Sequence, residues 1–496
     1  MAVDRDTVPT PGRAQAPASA SAPGSASAPS SAQAPSSAQA PASASAPGTV
    51  SAAQRAIGGP SLDGRGRPIA RNEILRNGRL GGIAPALLAE RYGTPVYVYD
   101  LDVIDRQITS LRAVLPASFD LAYAIKSNPA LAIVSHMAEM GLGADVASAG
   151  ELKTVERAGF APDRVVMTGP GKQYSELQLA VEMGIHVITV ESPGEMDRLE
   201  RIAAASGRVV PILLRAAVTG DASLEKVRLI GDEGAGKFGM DGRDLLTCAR
   251  RAVASPHLDL HGLHAFGASN LLDAGALANH IESTVLTARR LAVSTGFTLR
   301  LVDGGGGLGI PYDQDEPALD LPLLGRRLAA MAERWAADPL LRGIRVLMEP
   351  GRFLVGQSGA YLARVVDRKS VNGSMVAILD GGVHHVLRPA LVGQEHRLRL
   401  VGKSSSLAKP RPVTVAGPLC TGLDVIAAGV LLLPPDPGDL IVVLDVGAYG
   451  YTESMPWFLS HPVPAEVVIR GGKSALIRPR VDPESWLNIQ RLPEFE

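Results

Sequence analysis

DLAYAIKSNPALAIVSHMAEMGLGADVASAGELKTVERAGFAPDRVVMTGP, residues 120–170, carries the rhythm on which the fold of this chain turns. Three short apolar runs, DLAYAIKS (120–127), GADVAS (143–148) and RVVMTGP (164–170), read as buried strands, and 150–158 between the last two has apolar residues at helical spacing. The pattern reaches back to VYVYD (96–100). It runs forward through HVITVES (186–192), VVPILLRA (209–216), LDLHGLHAFG (258–267), TLRLVDGGG (298–306) and RVLMEPGR (345–352), with amphipathic stretches at 193–205 and 279–295. Such alternation, over roughly 250 residues, predicts parallel strands joined by crossover helices.

The count suits a closed TIM-like (β/α)8 barrel better than an open sheet, so the expected class is α/β. In a barrel the polar residues that end each strand gather on one face. Lys126, Asp145, His264, Asp303 and Glu349 all stand at strand ends, and that coincidence marks a site. Past residue 354 the runs YLARVVDRKSV, MVAILDGG, LRLVG, PVTVAG, DLIVVLDVGAY and AEVVIRGGKSALIRP are strand-like, with Gly and Pro turns and few helical intervals. The expected division is a tail at 1–60, a segment at 61–94 packing on a β domain, a barrel at 95–355 and a C-terminal β domain at 356–496.

The tail is almost pure Ala, Pro, Ser and Gly, as in APSSAQAPSSAQAPASASAPG (28–48). It has too few large apolar residues to offset the entropy of ordering, and it lacks the basic and Leu-rich parts of a secretory signal. The 496 residues hold 46% hydrophobic and 20% charged residues with a formal net charge of −1, a globular balance with no general attraction for nucleic acid or anionic membrane. Cys248 and Cys420 are the two cysteines, so a disulfide framework is not expected and a reducing cytoplasm is. No run of about 18 apolar residues suggests a membrane span.

Lys126 ends an apolar strand. Buried there, its amine would lose basicity and become a nucleophile; just past the rim it would be an ordinary solvated lysine. DGGGGLG (303–309) satisfies GxGxxG through Gly304, Gly306 and Gly309, but IPYDQDEPALDLP follows in place of a helix, so a dinucleotide site fails and a single-phosphate cradle is preferred. EPGR (349–352) offers either an ion pair or a site carboxylate beside a guanidinium. His264, with His261 in the same strand, is structural or a site residue, and the adjacent His384 and His385 lack metal-ligand spacing, so no metal is expected. Cys248 fits a core position; Cys420, among turn residues, fits one less well. Tyr449 and Tyr451 stand in a Gly-flanked turn where a hydroxyl can pack or reach an anion.

Together and in this order, YAIKSNP, GADVASAGEL, the H…GAS strand, DGGGGLGIPY, EPGRFLVG, RPAL, GPLCTGLD and GAYGY resemble the fold-type III pyridoxal-phosphate decarboxylases, which include diaminopimelate and ornithine decarboxylases. The resemblance covers about residues 75–490. It implies a barrel plus a β domain, pyridoxal 5′-phosphate as cofactor, and a homodimer with shared active sites. It makes Lys126 the Schiff-base lysine, places Asp145 among the cofactor contacts, pairs Glu349 with the ring nitrogen and stacks His264 on the ring. Gly304, Gly305 and Gly306 with Gly351, Arg352 and Tyr449 would hold the phosphate, Ser269 sits in a strand one residue longer than the family's usual one, and Cys420 of one subunit would return a proton to the substrate of the other.

Two departures bear on substrate. Thr421 stands where diaminopimelate decarboxylases resemble one another in a Glu, and ornithine decarboxylases in an Asp, that grips a distal ammonium. A neutral hydroxyl forgoes a charge-assisted bond worth about 1.5–3 kcal/mol, a loss of roughly 10- to 100-fold in selection. Val392 replaces the usual Tyr after RPAL, while Arg352 and Arg388 remain as carboxylate clamps. The expected substrate is an amino acid without a free distal ammonium, carrier-bound or conjugated, as in the biosynthetic-cluster branch. The alternatives are a true diaminopimelate decarboxylase of lysine biosynthesis and a non-catalytic binding protein, although the latter should have lost Lys126, Glu349 or Cys420.

Overall fold

A computed structural model describes residues 74–218, 236–313, 315–401 and 409–495. The expected tail lies outside them, as does the segment up to residue 73.

Strand β1 is Val96–Asp100. Eight strands then form the barrel: β2 Phe119–Ala124, β3 Gly143–Val146, β4 Val165–Met167, β5 Val187–Val190, β6 Val210–Arg215, β7 Leu258–His264, β8 Leu301–Asp303 and β9 Arg345–Met348. All neighbours pair in parallel, and β9 closes on β2 through Val346 opposite Phe119. The strands read as continuous apolar runs because both faces are covered: Ala122, Val166, Val187, Leu213, Leu301 and Leu347 form one buried cluster, while Tyr123, Ala144, Ile188 and Val302 join the larger core. The crossover helices start and stop on local signals. Ser148 and Ser192 accept hydrogen bonds from the N–H groups of Glu151 and Glu195 at their helix starts, and Gly159 and Gly207 end the same helices in left-handed conformation.

The second sheet holds nine strands, with β10 Gly359–Val371, β11 Ser374–Leu379, β12 Leu398–Val401, β13 Arg411–Ala416, β14 Val425–Leu432, β15 Leu440–Leu444, β16 Ala465–Arg470 and β17 Lys473–Arg478. Its order is β14-β13-β11-β10-β1-β16-β17, with β15 also against β10 and β12 against β15. The VYVYD run therefore belongs here and not to the barrel, where a boundary at residue 95 had placed it: β1 pairs antiparallel with β10 and parallel with β16. All five of its residues are buried, so periodicity could not tell which sheet would cover them. Ile74, Leu80 and Leu88 pack with Val96, Val98, Leu362 and Val442 on one face of this sheet.

The two sheets meet near β2. Tyr449, in the loop after β15, donates its backbone N–H to the Ser127 carbonyl at 2.8 Å, and the Asn128 amide donates to the Gly447 carbonyl at 2.9 Å.

Candidate active site

Five contiguous barrel strands, β7-β8-β9-β2-β3, deliver His264, Asp303 with Gly304–Gly306, Glu349, Lys126 and Asp145 at their C-terminal ends. Residues scattered over 264 and 303 to 349 and 126 to 145 in sequence thus become neighbours because parallel strands end on one rim.

The Lys126 ammonium lies 2.6 Å from Asp145 Oδ2, and Thr168 donates its hydroxyl to Asp145 Oδ1 at 2.8 Å. Asp145 is buried, whereas 43% of the lysine side chain is exposed, so the amine opens onto accessible space. Burial acts to lower its basicity, but the charges of Asp145, Glu349 and Tyr449 outweigh that and hold it well above an ordinary lysine. The expectation that burial alone would free the amine is thus corrected. It rests as an ammonium, because the barrel supplies it with an acid.

Glu349 is buried with His264 Nε2 at 3.7 Å from its Oε2. Burial would raise its carboxyl, yet the His264 ring and then Lys126 hold it down to about 2. Asp303 is pushed well up, by burial first and then by the charge of Glu349. Burial and like charge thus drive the Asp303 carboxyl upward while His264 and Lys126 draw that of Glu349 down. Both His264 ring nitrogens, Asp303 Oδ2 and Glu349 Oε1 are buried without a hydrogen-bond partner among the described residues. Such atoms mark a place built for another group. His264, Asp303 and Glu349 present ligand atoms within 4.8 Å of one another, a spacing that no linear metal motif revealed.

The glycine run is shaped by crowding. A side chain on Gly306 would meet the Glu349 carbonyl at 2.5 Å, and one on Gly351 would meet Ser127 Cβ at 2.8 Å. Gly305 has φ +68° and takes the Asp303 carboxylate on its N–H at 2.8 Å. Arg352, buried, donates to the Tyr312 hydroxyl at 2.6 Å and to Ser269 Oγ at 3.2 Å, and its guanidinium lies 4.7 Å from the Tyr449 ring centre. Among the described residues it has no carboxylate partner, so the simple Glu349–Arg352 ion pair is not formed. A buried guanidinium with no carboxylate partner among the described residues, near a glycine run, suits an anion such as phosphate. Tyr449 is held at φ +53°, a conformation costing a non-glycine residue about 1 kcal/mol, which fits a position kept for its side chain.

Arg388 also reaches Tyr449, with 5.1 Å to the ring centre, but it is occupied: its Nη1 donates to both oxygens of Glu453, at 2.9 and 2.7 Å. Cys420 and Thr421 lie in the loop between β13 and β14, where Cys420 is exposed. The buried Asp424 carboxylate holds that loop by accepting from the N–H groups of Leu419 and Val383, both at 2.7 Å. Sequence reading missed Thr168, Tyr312 and Glu453. Tyr312, three residues past the glycine run, was within reach of motif reasoning; Thr168 and Glu453 act only through the fold.

A parallel barrel whose strand ends gather a lysine with an acid, a second buried acid with unpartnered atoms, a glycine cradle and an unpaired arginine defines an enzyme built around a phosphorylated cofactor. The family model for "Pyridoxal-dependent decarboxylase, pyridoxal binding domain" matches residues 101–356. An L-glutamyl-[BtrI acyl-carrier protein] decarboxylase from Niallia circulans is 32% identical over 398 residues, 79% of this chain and 92% of that protein. A diaminopimelate decarboxylase from Zymomonas mobilis is 30% identical over 431 residues, 85% of this chain and 99% of its own length. The crystal structure of diaminopimelate decarboxylase from Helicobacter pylori complexed with L-lysine superposes with a TM-score of 0.74 at 28% identity, over 82% of this chain and 98% of that one. The chain belongs to the fold-type III pyridoxal-phosphate-dependent decarboxylases, and is a pyridoxal-phosphate-dependent carboxy-lyase. Among the described residues no helix is long and apolar enough to cross a membrane.

Proposed function

We propose that this decarboxylase acts on an amino acid whose distal end carries no free ammonium, held on an acyl-carrier protein or joined to a larger conjugate. The observation that carries the reading is Thr421, a neutral residue directly after Cys420, and Val392 in the helix Arg388–Val392 supports it. The carrier-bound glutamyl group named for the Niallia circulans relative is a substrate of this chemistry.

Pyridoxal 5′-phosphate, when bound, supplies an aldehyde for an amine and a protonated ring that accepts the electron pair of the breaking C–CO₂ bond. Lys126 is the amine that would hold it, and Asp145, at 2.6 Å, is placed to take and return the lysine's proton. Glu349, whose carboxyl His264 and Lys126 hold low, would face the ring nitrogen and keep the proton there. His264 would stack on the ring. Gly304, Gly305, Gly306, Gly351, Arg352, Ser269 and Tyr449 would hold the phosphate. In the homodimer we propose, Cys420 of the partner subunit returns a proton to the α-carbon after carbon dioxide leaves.

Carbon dioxide release from purified holoenzyme tests the substrate, using meso-diaminopimelate, free L-glutamate and the glutamyl group as a carrier thioester. We expect the thioester to exceed both free amino acids by roughly tenfold or more in kcat/KM. Robust turnover of free meso-diaminopimelate would defeat the reading and favour the diaminopimelate enzyme, for which the 30% identity to the Zymomonas mobilis protein speaks.

A further inference from the structure

Glu453 ends the short 3-10 turn Tyr451–Glu453, four residues past Tyr449. Its side chain is 31% exposed, while that of Arg388 is 7% exposed. Both glutamate oxygens meet Arg388 Nη1, and Gln394 accepts from Arg388 Nε at 2.8 Å. Arg388 stands next to the reaction site: its guanidinium shares the Tyr449 ring with that of Arg352, and the Tyr449 backbone is bonded to Ser127, the neighbour of Lys126.

The two guanidiniums around that ring are therefore unlike. Among the described residues Arg352 has hydroxyl and ring partners but no carboxylate, and is open to an anion. Arg388 is already neutralised by a carboxylate in a part-buried, charge-assisted contact, the strong kind of hydrogen bond. A substrate ending in a free carboxylate would have to displace Glu453 and leave that carboxylate beside its own like charge.

We infer that Glu453 sets the substrate class of this site: by standing in for a distal carboxylate on Arg388, it directs the enzyme toward amino acids whose distal acyl group is a neutral amide, ester or thioester. This rests on the decarboxylase reading above and deepens it, adding exclusion of a distal carboxylate to exclusion of a distal ammonium.

The test compares holoenzyme with Glu453→Gln, which keeps the shape and an acceptor for Arg388, and with Glu453→Ala. Substrates are L-glutamate, L-2-aminoadipate and meso-diaminopimelate, each free and as its distal methylamide. In the wild type the amides should lead. In the variants the free-acid-to-amide ratio of kcat/KM should rise roughly tenfold, carried by KM. Glutarate, a dicarboxylate without an α-amine, gives a readout independent of turnover: it should raise the melting temperature of the variant holoenzymes more than that of the wild type. An unchanged ratio together with unchanged glutarate binding overturns the role of Glu453. If no substrate releases carbon dioxide in any form while glutarate binding still rises in the variants, it is the decarboxylase assignment to these amino acids that fails, not Glu453.

Discussion

At the scale of single residues the site works by setting acids against one another. Lys126 is more basic than a free lysine because Asp145 and Glu349 outweigh its burial. Its condensation with an aldehyde needs the neutral amine, so the rate of cofactor loading rises with pH until the amine is deprotonated. Asp145→Asn removes the nearer acid, so the amine becomes less basic. The loading profile, followed by the cofactor's visible absorption, should move to lower pH by about one unit or more; a profile that stays in place would show that Asp145 does not control the lysine. Lys126, Glu349 and the glycine run were legible as residues because each ends a strand or sits in a motif. The opposed shifts of Asp303 and Glu349 were not, because they depend on which strand ends are neighbours. Asp303 and Glu349 stand 46 positions apart, and only the pairing of β8 with β9 makes them a coupled pair.

Among elements, strand ends and tight backbone carry the function. The Gly306 contact predicts the effect of Gly306→Ala: an added carbon 2.5 Å from the Glu349 carbonyl must push β8 away from β9. We expect a stability loss of about 1–3 kcal/mol. Cofactor retention on dialysis should fall about tenfold or more while the barrel still folds. Wild-type retention would mean that the glycine run tolerates a side chain and does not approach the phosphate closely. The eight barrel strands could be read from their apolar runs and helical intervals. β1 could not be assigned, since a run buried on both faces looks alike in either sheet. Arg388 shows the same limit, for its helix was visible in RPAL while its engagement by Glu453 comes from a turn more than sixty residues later.

Across the whole molecule the second sheet stores a pH liability. His384 and His396 are both lowered to about 4, and His385 lies well below its usual value, burial being the leading cause in each. Such groups bind protons less well folded than unfolded. Their contribution to stability is complete above the ordinary histidine value of 6.5 and drains away as pH falls from there toward 4. Each can cost up to about 1.4 kcal/mol per pH unit in that window. Neither ring nitrogen of His384 has a hydrogen-bond partner among the described residues. His384→Leu should therefore unfold at higher urea than the wild type near about pH 5, by about 1 kcal/mol, with a flatter pH dependence. Equal slopes for the two proteins would show that His384 does not titrate in this range. Nothing in the HH pair announced this, because adjacency in sequence says nothing about burial.

The placement of β1 has a consequence for how the chain is made and rearranged. Its partners, Gly359–Val371 and Ala465–Arg470, are translated after the entire barrel. An emerging polypeptide can close its eight parallel strands while Val96–Asp100 waits, apolar and unpaired, for Gly359–Val371 and then for Ala465–Arg470, more than 350 residues downstream, a long-range closure of the slow kind. The barrel is topologically a guest inserted into its host sheet, so a chimera that exchanges the C-terminal half between relatives must carry residues 74–100 with it or leave a hole in the middle of that sheet.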